Sequence, residues 1–354
     1  MLAEQLDYVI GVDTHRDAHA YAVVALPGGG RTVAAELAAA PRGYREALAL
    51  ARRSAPGRRA WAIEGSGHYG AGLARFLLAQ GERVLEIGRG ARGPRGPRGR
   101  SDALDAVAAA RAALAAERPG QPRRGGKRAA LRALVVTREG ALAVRRAGLN
   151  QLRALLVSAP EPLREQLRGL TRARLLRRCR ELGTEGRDSE GHAVALSLRL
   201  CAGRVEAANR EEQELAQAIL ALVRVEAPQL LARPGVGPIS AAQLLISWSH
   251  PGRFPSEAAF ARHGGSAPIP ASSGQTLRHR LDRGGDRQLN RALHTIVLSR
   301  RKHHPETKAY VERRTAEGKT RREIRRCLMR NLARRLYPLL LADLHDARSI
   351  PLLT

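Results

Sequence analysis

The sequence is poor in cysteine and has no long apolar run. Its three cysteines, Cys179, Cys201 and Cys327, lie far apart and form no C-x-x-C pair. This spacing excludes a disulfide scaffold and a cysteine-based zinc site, and it is typical of a protein in a reducing cytoplasm. No apolar run reaches the ~18–20 residues that span a bilayer. The first residues show no basic stretch followed by an apolar one, so we expect neither a membrane span nor a signal peptide.

Acidic and aromatic residues are also scarce. Asp and Glu together number 33 against 61 Lys and Arg, which leaves a formal net charge of +28. Such a surplus repels itself unless a polyanion neutralises it, and nucleic acid is the usual polyanion. Aromatic residues make up only 3% of the chain, which argues against a platform that stacks unpaired bases. We therefore expect nucleic acid to be bound mainly through its phosphates.

The first third of the chain has the pattern of an α/β domain. DYVIGVD, AHAYAVVAL and RTVAAEL read as three consecutive strands, followed by a helix over 44–53. RAWAIEG and RVLEIG read as further strands, with a helix over 71–80 between them. A three-strand meander followed by alternating helix and strand is the order of an RNase-H-like, or RuvC-like, domain. We assign residues 1–127 to this domain.

The rest of the chain is predicted to be helical. Residues 128–229 read as long helices broken near Pro160 and over 183–191, which favours a helical or coiled-coil arm for oligomerisation or RNA contact. Residues 230–354 are predicted to form a second, mostly α-helical domain. It opens at Leu230–Ser249 with a helix, a P-G-V-G turn and a helix. This resembles a helix-hairpin-helix, whose turn brings backbone N–H groups close to a phosphate.

Two segments concentrate the positive charge. Gly88–Arg100 has no acidic residue and carries arginine at every third position, so a polyproline II conformation would place four of them on one edge. Both a solvated linker and a phosphate-binding loop fit this segment. Residues 278–335 carry 19 basic and 6 acidic residues. The predicted nucleic-acid-binding residues are Arg89, Arg92, Arg95, Arg98, Arg100, Arg278, Arg280, Arg283 and Arg287.

Four carboxylates occur where they could converge. Asp13 ends the first strand, Glu64 ends a later one, and Asp102 and Asp105 share a helix face behind a predicted N-cap at Ser101. Taken singly, each acid fits a surface residue or a helix cap. Together they predict a site for one or two Mg²⁺ ions about 3.5–4 Å apart, with Mn²⁺ as a substitute, of the kind that transfers phosphoryl groups.

Histidines near Asp13 raise the alternative of zinc. His15 and His19 form H-x-x-x-H, and Asp17 lies between them. That spacing makes a zinc pair on a helix, but here it falls where a strand turns into a hairpin. We therefore predict a supporting or structural role for His15.

A serine pair marks the later part of the chain. Ser272 and Ser273 precede Gly274 in a loop rich in Gly and Pro, and basic residues follow directly. Serine in such a loop is ordinarily a turn former. An exposed serine beside glycine and among phosphate-binding arginines is also how a nucleophile would be presented to a phosphodiester.

Six segments spread along the chain together resemble one family, and they are GVDTHRDAHAYAVV, AIEGSGHYG, RSDALDAVA, RPGVGPISAAQL, APIPASSG and DRGGDRQLNRAL. The chain is similar to the DEDD transposases of bacterial insertion sequences, the "one-ten" family of bridge-RNA-guided serine recombinases. The resemblance implies that Asp13, Glu64, Asp102 and Asp105 are the DEDD acids and Ser273 the nucleophile, with Ser272 as contender. The long Arg-Gly-Pro loop departs from the family pattern, which leaves its role open.

The resemblance also implies a mechanism and partners. A structured non-coding RNA would pair with donor and target DNA, so that base pairing reads the sequence. The serine would attack a backbone phosphate to give a phosphoserine intermediate and a free 3′-OH, beside the Mg²⁺-bound acids. The protein would work in the bacterial cytoplasm as dimers that assemble into a tetramer.

Other functions stay open at this point. One alternative is a RuvC-like nuclease that depends on Mg²⁺, selects DNA by its structure and uses the same acids to activate water. Another is a non-catalytic nucleic-acid-binding remnant of a mobile element, which would use neither the acids nor the serine. A conventional resolvase lacks support because no N-terminal Y-x-R-x-S is present. A tyrosine recombinase would need an H-x-x-R followed by a tyrosine, and His250–Arg253 precedes Tyr310 and Tyr337.

Overall fold

The computed structural model describes residues 2–87, 101–116, 119–123, 125–270, 279–281 and 284–348. The chain divides into two units. One comprises Met1–Gly125 together with Ser249–Arg253, and the other comprises Gly126–Trp248 together with Phe254–Thr354. The three functional domains expected from the sequence stay a prediction. Within the described ranges, no helix is both long enough and apolar enough to cross a membrane.

The first unit is built on a five-stranded mixed sheet in the order β3-β2-β1-β4-β5. β1 pairs antiparallel with β2 and parallel with β4, β2 pairs antiparallel with β3, and β4 pairs parallel with β5. The predicted order of strands and helices is confirmed, and it agrees with an RNase-H-like domain. The strands are β1 (Tyr8–Thr14), β2 (Ala18–Ala25), β3 (Arg31–Ala38), β4 (Arg59–Glu64) and β5 (Arg83–Ile87). The helices are α1 (Leu2–Gln5), α2 (Pro41–Ser54), α3 (Ala71–Ala79) and α4 (Asp102–Ala115).

Helices cover both faces of this sheet. Alternate residues of β1 point to opposite faces, so Val9 packs with the alanines of α4 while Ile10 and Val12 pack with α2 and α3. Because both faces are covered, the central strands read as nearly continuous apolar runs.

Gly11 lets α4 lie directly on β1. A Cβ atom at Gly11 would overlap the carbonyl oxygen of Ala106 and lie 2.9 Å from the backbone nitrogen of Ala110. The facing side of α4 is correspondingly small, with Ala106, Ala110 and Ala113 all buried. The pairing of glycine with alanine therefore fixes the distance between helix and strand, and it determines where the first turn of α4 lies.

The chain returns to the first unit at Ser249–Arg253. The Arg253 guanidinium lies 3.2 Å from Glu86 Oε2 in β5, and its Nε donates to the Gln121 carbonyl at 3.2 Å. His250 Nε2 lies 3.1 Å from Gln121 Oε1. Both ends of the H-x-x-R pattern thus make contacts that hold this segment in place.

The second unit is almost entirely helical. The predicted break near Pro160 is confirmed by the end of a first long helix, α5, at Val157. The break predicted over 183–191 is present but ends earlier, because the second long helix, α8, begins at Ser189. Its elements are α5 (Lys127–Val157), α6 (Glu161–Leu167), α7 (Arg172–Arg180), α8 (Ser189–Glu226), α9 (Pro228–Leu231), α10 (Pro238–Trp248), α11 (Glu257–His263), β6 (Pro268–Pro270), β7 (His279–Leu281), α12 (Arg287–His303), α13 (Pro305–Ala316) and α14 (Arg321–Arg348).

α5 and α8 form an antiparallel hairpin. Arg128, at the start of α5, pairs with Glu226, at the end of α8, at 3.3 Å. Further along, Gln151 of α5 accepts a hydrogen bond from Arg204 of α8 at 2.9 Å. Residues 128–229 are therefore mostly helical, while their role as a separate arm stays a prediction.

The P-G-V-G turn differs in part from the prediction. The helix before it, α9, is a single turn, because α8 ends at Glu226 and Pro228 starts a new element. Arg300 of α12 donates to the Pro234 carbonyl at 2.7 Å. Gly235 has a positive φ of 77°, and a Cβ there would lie 3.1 Å from the Ile296 carbonyl oxygen. The turn therefore serves close packing against α12.

Candidate functional site

Two of the four predicted acids meet at the end of β1. Asp13 is the next-to-last residue of β1, and its side chain is only 8% exposed. Asp102 is the first residue of α4 and is more than half exposed. His15 lies between them, with its Nε2 3.0 Å from Asp13 Oδ2 and 3.6 Å from Asp102 Oδ1. The structure therefore brings Asp13 and Asp102 together around an imidazole.

The β1–β2 turn places His15 there. The backbone N–H of His15 donates to the Ala18 carbonyl at 3.1 Å, which makes the turn tight. Side chains two residues apart in an extended chain point to the same side. Asp13 and His15 therefore share a side of β1, while Arg16 and Asp17 extend into solvent and pair with each other.

The start of α4 places Asp102. Ser101 is the N-cap, and its side chain accepts from the Leu104 N–H at 3.4 Å. This confirms the predicted cap. The close approach of the α4 backbone at Ala106 to Gly11 then holds the first turn of α4 over the end of β1.

The other two predicted acids lie outside this close group, Glu64 at the end of β4 and Asp105 on α4 with Asp102. Glu64 ends β4, directly beyond the last pair in the parallel register between β1 and β4, Val12 with Ile63. Thr14 Oγ1 donates to the Glu64 carbonyl at 2.8 Å and so ties the two strand ends together. Asp105 lies in the first turn of α4 and is partly buried. Their roles as metal ligands stay a prediction.

The group of Asp13, His15 and Asp102 fits a divalent cation. One ligand atom from each residue lies within 4.8 Å of the other two. Metal–ligand distances of about 2.0–2.3 Å allow one ion to contact all three after small side-chain movements. Two carboxylates this close would also repel each other without a cation. The sequence assigned His15 a supporting role, whereas the structure places it among the potential ligands.

His19 does not join this group. Its ring is fully buried, stacks on Tyr44 and lies 3.0 Å from the Ala18 carbonyl through Nδ1. Burial lowers the pKa of His19 below its ordinary value, which favours the neutral ring. The H-x-x-x-H pattern therefore makes no zinc pair.

Most of the second predicted site lies outside the described residues. Its residues Ser272, Ser273, Arg278 and Arg283 are among those not described. The loop arginines Arg89, Arg92, Arg95, Arg98 and Arg100, which form a separate predicted nucleic-acid-binding segment, also lie outside the described residues. Arg280 lies in β7, and Arg287 is exposed at the start of α12.

The residues that follow the serine loop in the sequence fix the start of α12. Asp286 is its N-cap and accepts from the N–H groups of Gln288 and Leu289 at 2.9 and 3.1 Å. Ser247 of α10 also donates to Asp286, at 2.7 Å. Gly285 has a φ of 84°, and a Cβ there would overlap the His263 carbonyl oxygen. The G-G-D motif therefore builds a tight turn into a capped helix.

Comparisons with known proteins agree with this geometry. Residues 10–160 match the family model of the DEDD transposases of IS110 elements, described as "Transposase". Residues 227–312 match a second model, described as "Transposase IS116/IS110/IS902 family".

A relative from Streptomyces coelicolor, "Insertion element IS110 uncharacterized 43.6 kDa protein", is 34% identical over 148 residues. The similarity spans 41% of this chain and 36% of that relative, so it covers about a third of the relative's length. Residues 10–160 and 227–312 are thus each similar to a transposase domain of IS110-type insertion sequences.

Proposed function

We propose that this protein is an insertion-sequence transposase that cuts and rejoins DNA strands with a metal-bound acidic cluster and a serine nucleophile. The observation that carries the proposal is the meeting of Asp13 and Asp102 at the end of β1, within the region that matches the DEDD transposases. The net charge of +28 agrees with a nucleic-acid substrate.

Asp13, Asp102 and His15 would hold a divalent cation, proposed to be Mg²⁺ with Mn²⁺ as a substitute. Glu64 and Asp105 would complete the site from the neighbouring strand end and from the same helix. When bound, such a cation neutralises charge on a phosphate and makes a hydroxyl easier to ionise. The near-complete burial of Asp13 keeps its carboxylate fixed, whereas the exposed Asp102 leaves the site open to a DNA strand.

Ser273 is proposed as the nucleophile. Its Oγ would attack a backbone phosphorus, forming a phosphoserine bond while the bond to the 3′ oxygen breaks and that oxygen takes up a proton. Attack by the 3′-OH of the partner strand would then form a new phosphodiester and release the serine. This exchange conserves the bond energy and needs no external energy source.

Replacing Ser273 with alanine tests this step. We expect Ser273→Ala to form no covalent protein–DNA adduct on a denaturing gel, because it lacks the attacking oxygen. Ser272→Ala is the matched control and should form the adduct normally. If Ser273→Ala still cuts DNA in Mg²⁺, and neither the wild-type protein nor this variant forms an adduct, the protein is a metal-dependent nuclease. An adduct lost only in Ser272→Ala would move the role to that serine.

Sequence choice is proposed to come from a structured guide RNA that pairs with donor and target DNA. Dimers that assemble into a tetramer would hold the two duplexes. The proposal rests on the family resemblance, and the scarcity of aromatic residues supports it, because RNA would be held by shape and phosphates. We expect one discrete structured RNA from the flank of the element to co-purify with the protein, as read by sequencing. Recovery of only random fragments would contradict RNA guidance.

A further inference from the structure

A basic cleft lies in the second unit between α12 and α14. It has a volume of about 590 Å³. Asn290 and His294 of α12 line one side, and Arg322, Arg325 and Arg326 of α14 line the other. The three arginines are spaced at i, i+3 and i+4, so they share one face of α14.

In the described parts of the chain, none of these three guanidinium groups forms a salt bridge, whereas Arg334 of the same helix pairs with Glu257. Hydrogen bonds from Thr320 lower the pKa of the Glu323 carboxylate, and the charge of Arg326 helps to lower it without such a bridge. Glu323 lies between them in sequence, but its carboxylate accepts hydrogen bonds from the Thr320 N–H and hydroxyl at 2.9 and 2.8 Å. Three positive charges within about one helical turn repel one another. A bound anion would remove that repulsion.

His294 orients one of these arginines without neutralising it. Arg325 Nη1 lies 3.3 Å from His294 Nε2, so the guanidinium donates and the ring accepts. Burial, together with the nearby charges of Arg325 and Arg301, lowers the pKa of His294 below its ordinary value. The neutral ring can therefore accept the hydrogen bond while the charge of Arg325 stays uncompensated.

We infer that this cleft binds the phosphodiester backbone of duplex DNA through Arg322, Arg325 and Arg326. A guanidinium matches a phosphate with two parallel hydrogen bonds, and three of them on one helix face can follow successive phosphates. Gly265 and Ser266 also line the cleft, and in the sequence they lie a few residues before the proposed nucleophile. The inference rests on the proposed function and adds a DNA contact to it.

The test measures the salt dependence of DNA binding. Each phosphate neutralised on B-DNA contributes about −0.9 to the slope of log K against log salt. For the double variant Arg325→Ala/Arg326→Ala we expect the slope on a duplex oligonucleotide to become shallower by about 1.8. The control Arg321→Ala/Arg330→Ala removes the same charge from α14 outside the cleft and should leave the slope close to wild type.

A second variant keeps the charge. Arg325→Lys/Arg326→Lys should retain most of the slope, which shows that an effect of the alanine variant is not a folding defect. An unchanged slope in the alanine variant, or an equal loss in the control, would overturn the inference. The same titration with a structured RNA separates the two sources of phosphate, since a loss seen only with RNA would overturn the assignment to DNA.

Failure of this inference can be told from failure of the proposed function. Binding is measured in a chelator, so the acidic cluster plays no part in it. Suppose the protein forms the covalent adduct, but the slope of log K against log salt is the same in Arg325→Ala/Arg326→Ala as in wild type. That result contradicts the inference alone. If the slope becomes shallower in the alanine variant but the wild-type protein forms no adduct, the result contradicts the proposed function alone.

Discussion

Asp13→Asn is expected to abolish metal-dependent cutting of DNA while the protein stays folded. Asparagine has nearly the same shape, so packing around this buried position changes little, but the negative charge that would hold the cation is lost. Cation stabilisation of a transition state contributes several kcal/mol, so we expect a loss of at least about 10³-fold in rate. The measurement is the cleavage rate of a duplex substrate in Mg²⁺ and in Mn²⁺.

Asp17→Asn is the matched control for this variant. Asp17 lies four residues after Asp13, in the turn between β1 and β2. Its side chain is 81% exposed and pairs with Arg16. The change removes the same charge close to the site without removing a ligand, so cutting should stay within about twofold of wild type, as for most surface substitutions. Equal activity of the two variants would show that Asp13 holds no essential cation.

Calorimetric titration of the same proteins with metal gives a readout that is independent of cutting. Asp13→Asn should bind neither Mg²⁺ nor Mn²⁺ measurably. His15→Asn replaces a nitrogen ligand with an oxygen ligand, which is the ligand type that the hard Mg²⁺ ion takes. It should therefore weaken Mn²⁺ binding by about tenfold and Mg²⁺ binding much less. Unchanged affinity for both ions would mean that His15 is not a ligand.

Gly11→Ala is expected to destabilise the first unit and to inactivate the protein. The added methyl group would overlap the Ala106 carbonyl oxygen. Because the clash is with backbone on both sides, no side chain can rotate away, and α4 must shift off β1. Overpacking of this kind costs about 3 kcal/mol or more. The shift also moves Asp102 away from Asp13, so the loss of cutting should exceed the loss of folded protein.

Gly28→Ala is the control for this change. A Cβ at Gly28 would meet nothing within 4 Å, so alanine should fit there without strain. Thermal unfolding followed by circular dichroism should show a clear fall in Tm for Gly11→Ala and almost none for Gly28→Ala. A Gly11→Ala protein with the wild-type Tm and wild-type activity would contradict the packing argument.

Much of the first unit could be predicted from local sequence patterns. The strands are apolar runs bounded by turn residues, and Ser101 stands where a cap must stand before an alanine-rich helix. The position of His15 was also readable, because strand alternation puts it on the same side as Asp13. The H-x-x-x-H spacing does not reveal this, because it tests only for a zinc pair on a helix.

Other features depend on contacts between distant segments, which a single sequence does not show. Nothing around Gly11 indicates which helix will cross it. Likewise, Arg322, Arg325 and Arg326 look like one part of a long basic stretch. Only the packing of α12 against α14 sets them in a cleft beside His294.

The return of Ser249–Arg253 to the first unit has a consequence for how the protein is made. Arg253 supplies the guanidinium that pairs with Glu86, so the sheet unit lacks one of its own parts until that residue has left the ribosome. The helical hairpin of α5 and α8 lies earlier in the chain and is synthesised in the interval. At about 5–20 residues per second, many seconds separate Gly125 from Arg253. The unit that carries the acidic cluster is thus completed late in translation, although most of its residues precede the second unit in the chain.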